Sequence, residues 1–284
     1  MSQRTARIAV SLLCACALGM AYANSLGNGF HYDDAHSVLE NPHVRHLGNI
    51  PSFFTDSARF SHMASRAMYR PLVLTSLSLN YWVGAYEPWG YHLVNLALHL
   101  MCTALVFALG RALGLGHLTA ALSALLFGLH PVQAEVVNYV SSRSESLAAI
   151  GYLLSLYCYA LFARRRDSRP ARRGLTYALS LAAFAFALLS KSTALSLPMA
   201  LLVWDGVVWW RARRGLGHDT LSTEALLWPV TADRGGERDE DRGGRFDLRH
   251  HLPFWVVAGA YLVIVWTQAW KALGDPVRTL SVQL

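Results

Sequence analysis

Two adjacent carboxylates, Asp33 and Asp34, are the first residues in the chain whose types point to chemistry. They follow Tyr32 in a polar stretch that continues to Glu40 and Asn41. Repulsion between neighbouring carboxylates raises the pKa of one of them, which suits a general base that takes a proton from a hydroxyl group. An Asp-Asp pair is also an ordinary feature of a solvated loop, and the pair alone favours that simpler interpretation.

The segment 130–145 carries a second set of polar residues. If it is one helix, Glu135, Tyr139 and Arg143 share a face, because each is four residues from the next. Valines beside that face make the segment typical of an amphipathic helix at a membrane surface. Arg143 is the preferred phosphate contact, since a guanidinium can bind phosphate through two parallel hydrogen bonds. Simple solvation, or pairing with other loop charges, is the alternative for Glu135 and Arg143.

His92, Asn95 and His99 lie at offsets of three and four, so a helix places them on one face. Polar groups within a membrane usually face the interior of the helical bundle, and hydrogen bonding between helices is the favoured role of Asn95. Metal binding by the two histidines is disfavoured, because they are two helical turns apart.

Arg70 and Lys191 each lie beside an apolar run. Arg70 precedes Pro71, which is typical of the first turn of a helix, and Leu72–Val83 is predicted as a surface helix or half-span. Lys191 lies in a tight turn between two apolar runs. Each cation could bind a lipid phosphate, or simply mark the membrane interface, which is the commoner role.

The elements that must position these residues are membrane helices. Hydrophobic residues make up 54% of the 284 residues and charged residues 15%, whereas soluble domains carry about a quarter charged residues. Lipid offers backbone groups no hydrogen-bonding partner, so apolar runs of spanning length predict helices. Seven spans are predicted, at 8–25, 90–112, 118–132, 147–163, 174–190, 193–210 and 252–270. The predicted fold is an all-α, polytopic transmembrane bundle with a long first external loop, 26–89.

Arginine clusters predict the orientation. They lie before the first span, at 164–173 and at 211–214, and seven alternating spans place all three on the cytoplasmic side. The loop 26–89 and the connection 133–146 are then external. Because the arginines cluster at span ends, the net charge of +7 does not indicate nucleic-acid binding. A cleavable signal peptide ending near Ala21-Tyr22-Ala23 is the competing interpretation of the first span, and it leaves the loop external.

Three regions are predicted: a transmembrane module at 1–210, a cytoplasmic loop at 211–251, and a last span with a short external tail at 252–284. The loop is rich in Gly, Arg, Asp and Glu and is predicted to be disordered. All four cysteines fall inside predicted spans, so neither a disulfide framework nor a metal-ligand set is predicted.

In their order and spacing, these motifs resemble the GT-C class of membrane glycosyltransferases. Within that class they are most similar to the transmembrane and tetratricopeptide-repeat O-mannosyltransferases and their bacterial relatives. The resemblance covers roughly residues 25–205. The matching pieces are Tyr32-Asp33-Asp34 with Asn41, Tyr69-Arg70-Pro71-Leu72, His92 with Asn95 and His99, His130-Pro131 with Glu135 and Arg143, and Lys191-Ser192-Thr193-Ala194.

The resemblance implies transfer of a sugar from a polyprenyl-phosphate-linked donor to a protein or glycan acceptor. It implies that Asp33 or Asp34 deprotonates the acceptor, with Asp33 preferred because the first acid of such a pair commonly has this role. It also implies an integral protein of a bacterial inner membrane with a periplasmic active face. No cofactor is assigned, and the class leaves a divalent metal open. The residues implied to line the cavity or hold the donor phosphate are Arg70, His92, His99, His130, Glu135, Arg143 and Lys191.

Two features depart from that class. Ser192 follows Lys191 where relatives usually have glutamate, and relatives normally continue with further spans and often a helical-repeat domain. The chain is therefore expected to be a truncated form or a partial bundle. Two alternatives follow: an inactive truncated glycosyltransferase, or a non-catalytic membrane protein that binds or translocates lipid.

Overall fold

The computed structural model describes residues 5, 16–164, 170–213 and 248–274. The start of the predicted first span, the centre of the second arginine cluster, most of the loop 211–251 and the tail after residue 274 lie outside these residues. Helix is the only regular secondary structure in the described part, which confirms the all-α fold. The α-helices are α1 (16–22), α2 (Ile50–Phe53), α3 (Pro71–Gly84), α4 (Pro88–Ala112), α5 (His117–Gly128), α6 (Gln133–Asn138), α7 (Arg143–Arg164), α8 (Pro170–Ser190), α9 (Leu197–Arg213) and α10 (Leu252–Gly274).

Five helical segments in the described residues are long and apolar enough to cross a membrane. They coincide with five of the predicted spans, and they confirm a helical membrane bundle. The segments are Pro88–Ala112, Val140–Ala163, Pro170–Ser190, Ser192–Trp210 and Leu248–Lys271.

The predicted span at 118–132 is shorter than expected, so the count of seven spans is not confirmed. α5 has 12 residues, which reach about 18 Å at 1.5 Å per residue, against a hydrocarbon core of about 30 Å. The carbonyl of Gly128, at its end, accepts hydrogen bonds from the Tyr22 hydroxyl at 2.8 Å and His99 Nε2 at 2.9 Å. A Cβ atom at Gly128 would lie 2.6 Å from Leu18 Cδ2 and 2.9 Å from Thr103 Oγ1, so both side chains would have to shift to make room for one.

α7 and α8 pack closely through small residues. A Cβ atom at Gly151 would lie 2.7 Å from the carbonyl oxygen of Ala183 and 2.8 Å from the Ala187 Cβ, so the two backbones approach where a side chain is absent. One helical turn further, the hydroxyls of Ser155 and Ser180 donate to each other's backbone carbonyls, both at 2.8 Å. Small residues with interhelical hydrogen bonds are the usual way in which helices associate in lipid.

The long loop 26–89 is folded rather than extended. Asn41 is fully buried, and its amide donates to the carbonyls of Ser37, Arg59 and Phe60 at 3.0–3.3 Å. Its side-chain oxygen accepts from the His43 N–H group at 3.0 Å. Beside it, apolar residues of the loop pack with α3 and α4 into one core. The buried members are Val38, Val44, Phe53, Phe60, Val73, Leu74, Leu77, Tyr91, Val140 and Leu147.

The loop contains one long helix, and its middle is bound to the last helix of the bundle. α3 begins at Pro71, as the sequence predicts, because proline tolerates the first turn, where its missing N–H costs no hydrogen bond. Gln268 of α10 binds the loop from the far end of the chain: its amide donates to the Thr55 carbonyl at 2.8 Å, and its oxygen accepts from the Ser57 N–H at 3.3 Å. These hydrogen bonds hold the middle of the loop against the helical bundle.

Candidate functional site

The first turn of α7 and the residues just before it bring together predicted site residues from three distant parts of the chain. We call this short stretch segment 141–145. Ser141, Ser144 and Glu145 each bind a different one of the predicted residues. Their partners, in the same order, are Asp34, Arg70 and Lys191.

Asp34 is a structural carboxylate. It is fully buried, and its Oδ1 atom accepts from the Ser141 N–H at 2.8 Å and the Ser141 hydroxyl at 2.6 Å. Its Oδ2 atom accepts from the His31 N–H at 3.0 Å. A buried carboxylate requires such compensation, since burial of an unpaired charge is costly. Asp34 thus fixes the loop to segment 141–145 and leaves its neighbour free to face outward.

Asp33 is the carboxylate that faces water, with a side chain that is 52% exposed. Its Oδ1 atom accepts from Arg66 Nη1 at 2.6 Å and lies 3.3 Å from His36 Nε2. Burial raises the pKa of Asp33, but hydrogen bonds from Arg66 and Tyr139, with the charges of His36 and Arg66, outweigh it and lower the pKa below its usual value. The raised pKa expected from the neighbouring carboxylate is therefore not found at Asp33. The lowered pKa favours its ionised form.

Tyr32 presents an exposed ring beside Asp33. Its φ of 46° lies in the left-handed region, which is unfavourable for a residue with a large side chain. The side chain is 90% exposed, and its ring meets the Tyr139 ring edge-on at 6.2 Å. The Tyr139 hydroxyl also accepts from the Asp33 N–H at 3.0 Å. Tyr139 therefore helps to hold both the exposed ring and the exposed carboxylate.

Arg70 and Lys191 place two cations at segment 141–145, through Ser144 and Glu145. Arg70 Nη1 donates to the Ser144 hydroxyl at 3.2 Å, and the guanidinium lies 5.5 Å from the centre of the Phe60 ring. Lys191 Nζ donates to Glu145 Oε1 in an ion pair. Burial, and then the charge of Arg70, lower the pKa of Lys191, whereas the charge of Glu135 raises it. The two cations are thus close enough to interact electrostatically.

An open groove of about 330 Å³ begins at Glu145. It runs between the first turns of α7 and the 3₁₀ turn Ser192–Ser196, with α5 at one side. Its lining is largely apolar, and Glu145 is its charged residue. We call the part of the groove at the ion pair of Glu145 with Lys191 its polar end. The lining residues are Phe127, Glu145, Ala148, Ala149, Tyr152, Leu153, Thr193, Ala194 and Ser196.

The prediction of one continuous helix through Glu135, Tyr139 and Arg143 is wrong. α6 ends at Asn138, and Tyr139 is extended, with φ −118° and ψ 116°. The break frees backbone carbonyl groups, and the buried amide of Asn95 compensates by donating to the Tyr139 carbonyl at 3.0 Å. The three predicted residues therefore do not share a helical face.

Arg143 is fully buried and does not face the groove, contrary to its predicted role as a phosphate contact. Its Nε atom donates to Asn95 Oδ1 at 2.9 Å, and Nη2 donates to the Tyr91 carbonyl at 3.0 Å. Its Nη1 atom donates to the hydroxyl and carbonyl oxygens of Ser76, at 3.0 and 3.3 Å. All three guanidinium nitrogens are thus used inside the protein, where Arg143 joins α3, α4 and α7.

The histidines also bind backbone rather than the groove. His92 Nε2 lies 3.2 Å from the Gly29 carbonyl oxygen, and His99 binds the Gly128 carbonyl as described above. His130 is exposed, and its Nδ1 atom accepts from the Val132 N–H at 3.2 Å. Glu135 is also exposed. Among the described residues, no group of three or more His, Cys, Asp or Glu side chains is arranged to hold a metal ion.

Sequence reasoning missed Glu145, Ser144 and Arg66 as site residues. For the first two, a usable signal exists: Ser142-Arg143-Ser144-Glu145 has the Ser-x-x-Glu pattern that often marks a helix start before an apolar run. That pattern would have divided segment 130–145 at the observed place. Arg66 lies 33 residues from Asp33, and nothing in the local pattern signals their contact.

Comparison with known proteins gives relatives of one kind. The chain is 36% identical to the protein O-mannosyl-transferase Tmtc2 of Drosophila melanogaster over 201 residues, which are 68% of this chain and 21% of that protein. It is 36% identical to human TMTC2 over 157 residues, 53% of this chain and 18% of the relative. It is 30% identical to human TMTC4 over 210 residues, 66% and 28% of the two chains. Both human proteins are also named protein O-mannosyl-transferases.

The chain thus spans about a fifth of the length of the first two of these relatives. No family model matches it, and no solved structure matches it significantly. The alignments nevertheless cover between half and two thirds of the chain at 30–36% identity. The chain is therefore a helical membrane homologue of the TMTC protein O-mannosyl-transferases.

Proposed function

We propose that the protein is a glycosyltransferase that moves a sugar from a polyprenyl-phosphate donor to a hydroxyl group of a protein or glycan acceptor. The observation that carries the proposal is that segment 141–145 binds Asp34, whose neighbour Asp33 faces water, and also binds two cations beside an apolar groove. The names of the relatives support sugar transfer, and they make mannose the first sugar to test. The proposed site faces outward, on the periplasmic side of a bacterial inner membrane.

In the proposed reaction, the acceptor hydroxyl attacks the anomeric carbon of the donor sugar. The bond from that carbon to the phosphate oxygen breaks, and polyprenyl phosphate leaves with the bonding electrons. The acceptor proton passes to Asp33, which the charge of Arg66 keeps ionised. Because the phosphate is already a competent leaving group, the protein supplies a base, cations and positioning.

The cations and the groove together match the two parts of such a donor. The prenyl chain is apolar and fits a groove lined by alanines, Leu153 and aromatic side chains. The phosphate then lies at the polar end, near Arg70 and Lys191. The N-terminus of α7, a helix of 22 residues, adds a favourable partial positive charge for an anion at this place.

The test is transfer of labelled sugar by the purified protein in lipid nanodiscs. Polyprenyl phosphomannose is the first donor, followed by other polyprenyl-phosphate sugars, with membrane protein extracts as acceptors. Wild-type protein should transfer the label, and Asp33→Asn should reduce transfer by about 100-fold or more, as expected for loss of a general base. Glu87→Gln is the matched control, because Glu87 is an exposed carboxylate in the same loop. Glu87 precedes α4, and its side chain makes no capping hydrogen bond to that helix.

Two outcomes would contradict the proposal. Full activity in the Asp33→Asn variant would remove the proposed base. Binding of the lipid phosphate without turnover of any sugar would favour the non-catalytic alternative, because the groove and its cations could bind a lipid without Asp33.

A further inference from the structure

The Glu145 carboxylate is bound to Lys191, one of the two cations that the proposed phosphate site requires. Its carboxylate binds the Lys191 ammonium group, and the same side chain lines the groove. The Lys191 side chain is 20% exposed and that of Glu145 is 44% exposed. The lysine is thus the enclosed member of the pair, whereas the carboxylate has room to move into water.

Two carboxylates act on Lys191, Glu145 by direct contact and Glu135 by its charge, but among the described residues neither forms an ion pair with Arg70. Lys191 has Glu145 as its partner, whereas Arg70 forms no ion pair within the described ranges of the chain, and its guanidinium donates to the neutral Ser144 hydroxyl. The charge of Arg70 also contributes to the lowered pKa of Lys191. A phosphate beside Arg70 would therefore give this guanidinium a direct anionic partner, which it lacks among the described residues.

We propose that Glu145 is an internal counter-anion: it holds Lys191 between turnovers, and the phosphate of the lipid displaces it on binding. This inference rests on the proposed function, because it concerns the phosphate site of the same reaction. The exchange involves no covalent step. Lys191 changes its anionic partner from a carboxylate to a phosphate, and the carboxylate turns toward water.

The same exchange promotes product release. Sugar transfer converts a phosphodiester with one negative charge into a phosphomonoester, which carries about 1.5 to 2 negative charges at neutral pH. The product therefore binds Arg70 and Lys191 more tightly than the donor does. Return of Glu145 to Lys191 competes with the product and limits its inhibition of the next turnover.

The test measures binding of undecaprenyl phosphate to the purified protein in nanodiscs. Glu145→Gln keeps the size of the side chain and removes the competing charge, so the dissociation constant should fall by about three- to tenfold, as for a partly exposed ion pair. Lys191→Gln should weaken binding. In the Lys191→Gln background, the Glu145→Gln change should have less than about half of its effect, because the two residues act as a pair.

Four controls identify the ligand and the charge. Undecaprenol, which lacks phosphate, should bind both proteins equally, and millimolar inorganic phosphate should not displace the lipid from either. Glu87→Gln removes an exposed carboxylate elsewhere and should leave binding unchanged. Glu145→Asp keeps the charge but shortens its reach, so its affinity should fall between those of the wild type and Glu145→Gln. It also provides a second test should Glu145→Gln fail to fold.

Equal or weaker lipid binding in Glu145→Gln would overturn the inference, because the carboxylate would then orient Lys191 rather than compete for it. If wild-type protein transfers sugar and Glu145→Gln binds with wild-type affinity, the inference fails and the proposed function stands. If Glu145→Gln binds more tightly and no donor sugar is transferred, displacement of Glu145 by the lipid phosphate stands and the enzymatic proposal fails. Absence of lipid binding in both proteins would overturn the phosphate site itself.

Discussion

The Asp34 carboxylate accepts two hydrogen bonds from Ser141, one from its backbone N–H at 2.8 Å and one from its hydroxyl at 2.6 Å. The two residues are 107 positions apart, and their contact joins the long loop to the residues just before α7. The contact also separates the two adjacent acids. Asp34 is turned into the protein, and Asp33 is left facing water.

The two acids should respond differently to substitution. Asp34→Ala would leave the partly buried donors of Ser141 and His31 without this partner, so it should lower the free energy of unfolding by about 2–4 kcal/mol. Asp33→Ala should change that free energy by less than about 1 kcal/mol, because exposed ion pairs contribute little, while abolishing sugar transfer. Denaturation of purified protein in detergent, beside the transfer assay, checks both. Equal stability of the two variants would contradict the assignment of roles.

The pH dependence of sugar transfer should change when Arg66 is replaced, because Arg66 lowers the pKa of Asp33. The lowered pKa of Asp33 keeps the base ionised to a lower pH than an ordinary aspartate, so activity that depends on it is lost only when the pH falls below that lowered value. Arg66→Gln removes a hydrogen bond and a charge that favour the ionised form. The acidic limb of the pH profile should therefore move to higher pH. An unchanged limb would show that Asp33 is not the titrating base.

Arg143 should behave as a structural residue. Arg143→Gln would leave the Tyr91 carbonyl, Asn95 Oδ1 and the Ser76 oxygens with fewer donors in a buried site, at a cost of about 2–4 kcal/mol in the free energy of unfolding. The control is Arg45→Gln, since Arg45 is exposed and donates to the Leu39 carbonyl at the protein surface. Wild-type stability of Arg143→Gln with loss of lipid binding would restore the phosphate role that the sequence predicted.

The packing of α7 on α8 should be sensitive to one added methyl group. Gly151→Ala would place a Cβ atom 2.7 Å from the Ala183 carbonyl oxygen, so the helices must separate. Overpacking of this kind costs about 1–3 kcal/mol. Gly259→Ala is the matched control, because open space surrounds that helical position. Thermal unfolding should show a lower midpoint only for Gly151→Ala, and equal midpoints would contradict the close contact.

Local sequence signals identified several elements well. Five spans follow from hydropathy alone, and Pro71 marks the start of α3. Arg70 and Lys191, both predicted as cavity or phosphate residues, do lie close enough for their charges to interact. The helix through 130–145 was mispredicted because offsets of four describe a face only if the backbone stays helical, and Tyr139 interrupts it. The Ser-x-x-Glu pattern at 142–145 was the available warning.

The sequence by itself determined that this is an all-α membrane protein. The length and apolar character of a span are local properties, and they decide whether a segment is stable as a helix in lipid. It also determined which polar residues were candidates. Only the tertiary structure decided which of two identical neighbours, Asp33 or Asp34, faces water, since that depends on Ser141 more than a hundred residues away. Likewise, the helix can break at Tyr139 because Asn95, 44 residues away, donates a hydrogen bond to the Tyr139 carbonyl. Arg143 can be buried because partners on α3 and α4 accept its hydrogen bonds. Such outcomes depend on satisfying buried polar groups across the whole fold, and no local pattern contains that information.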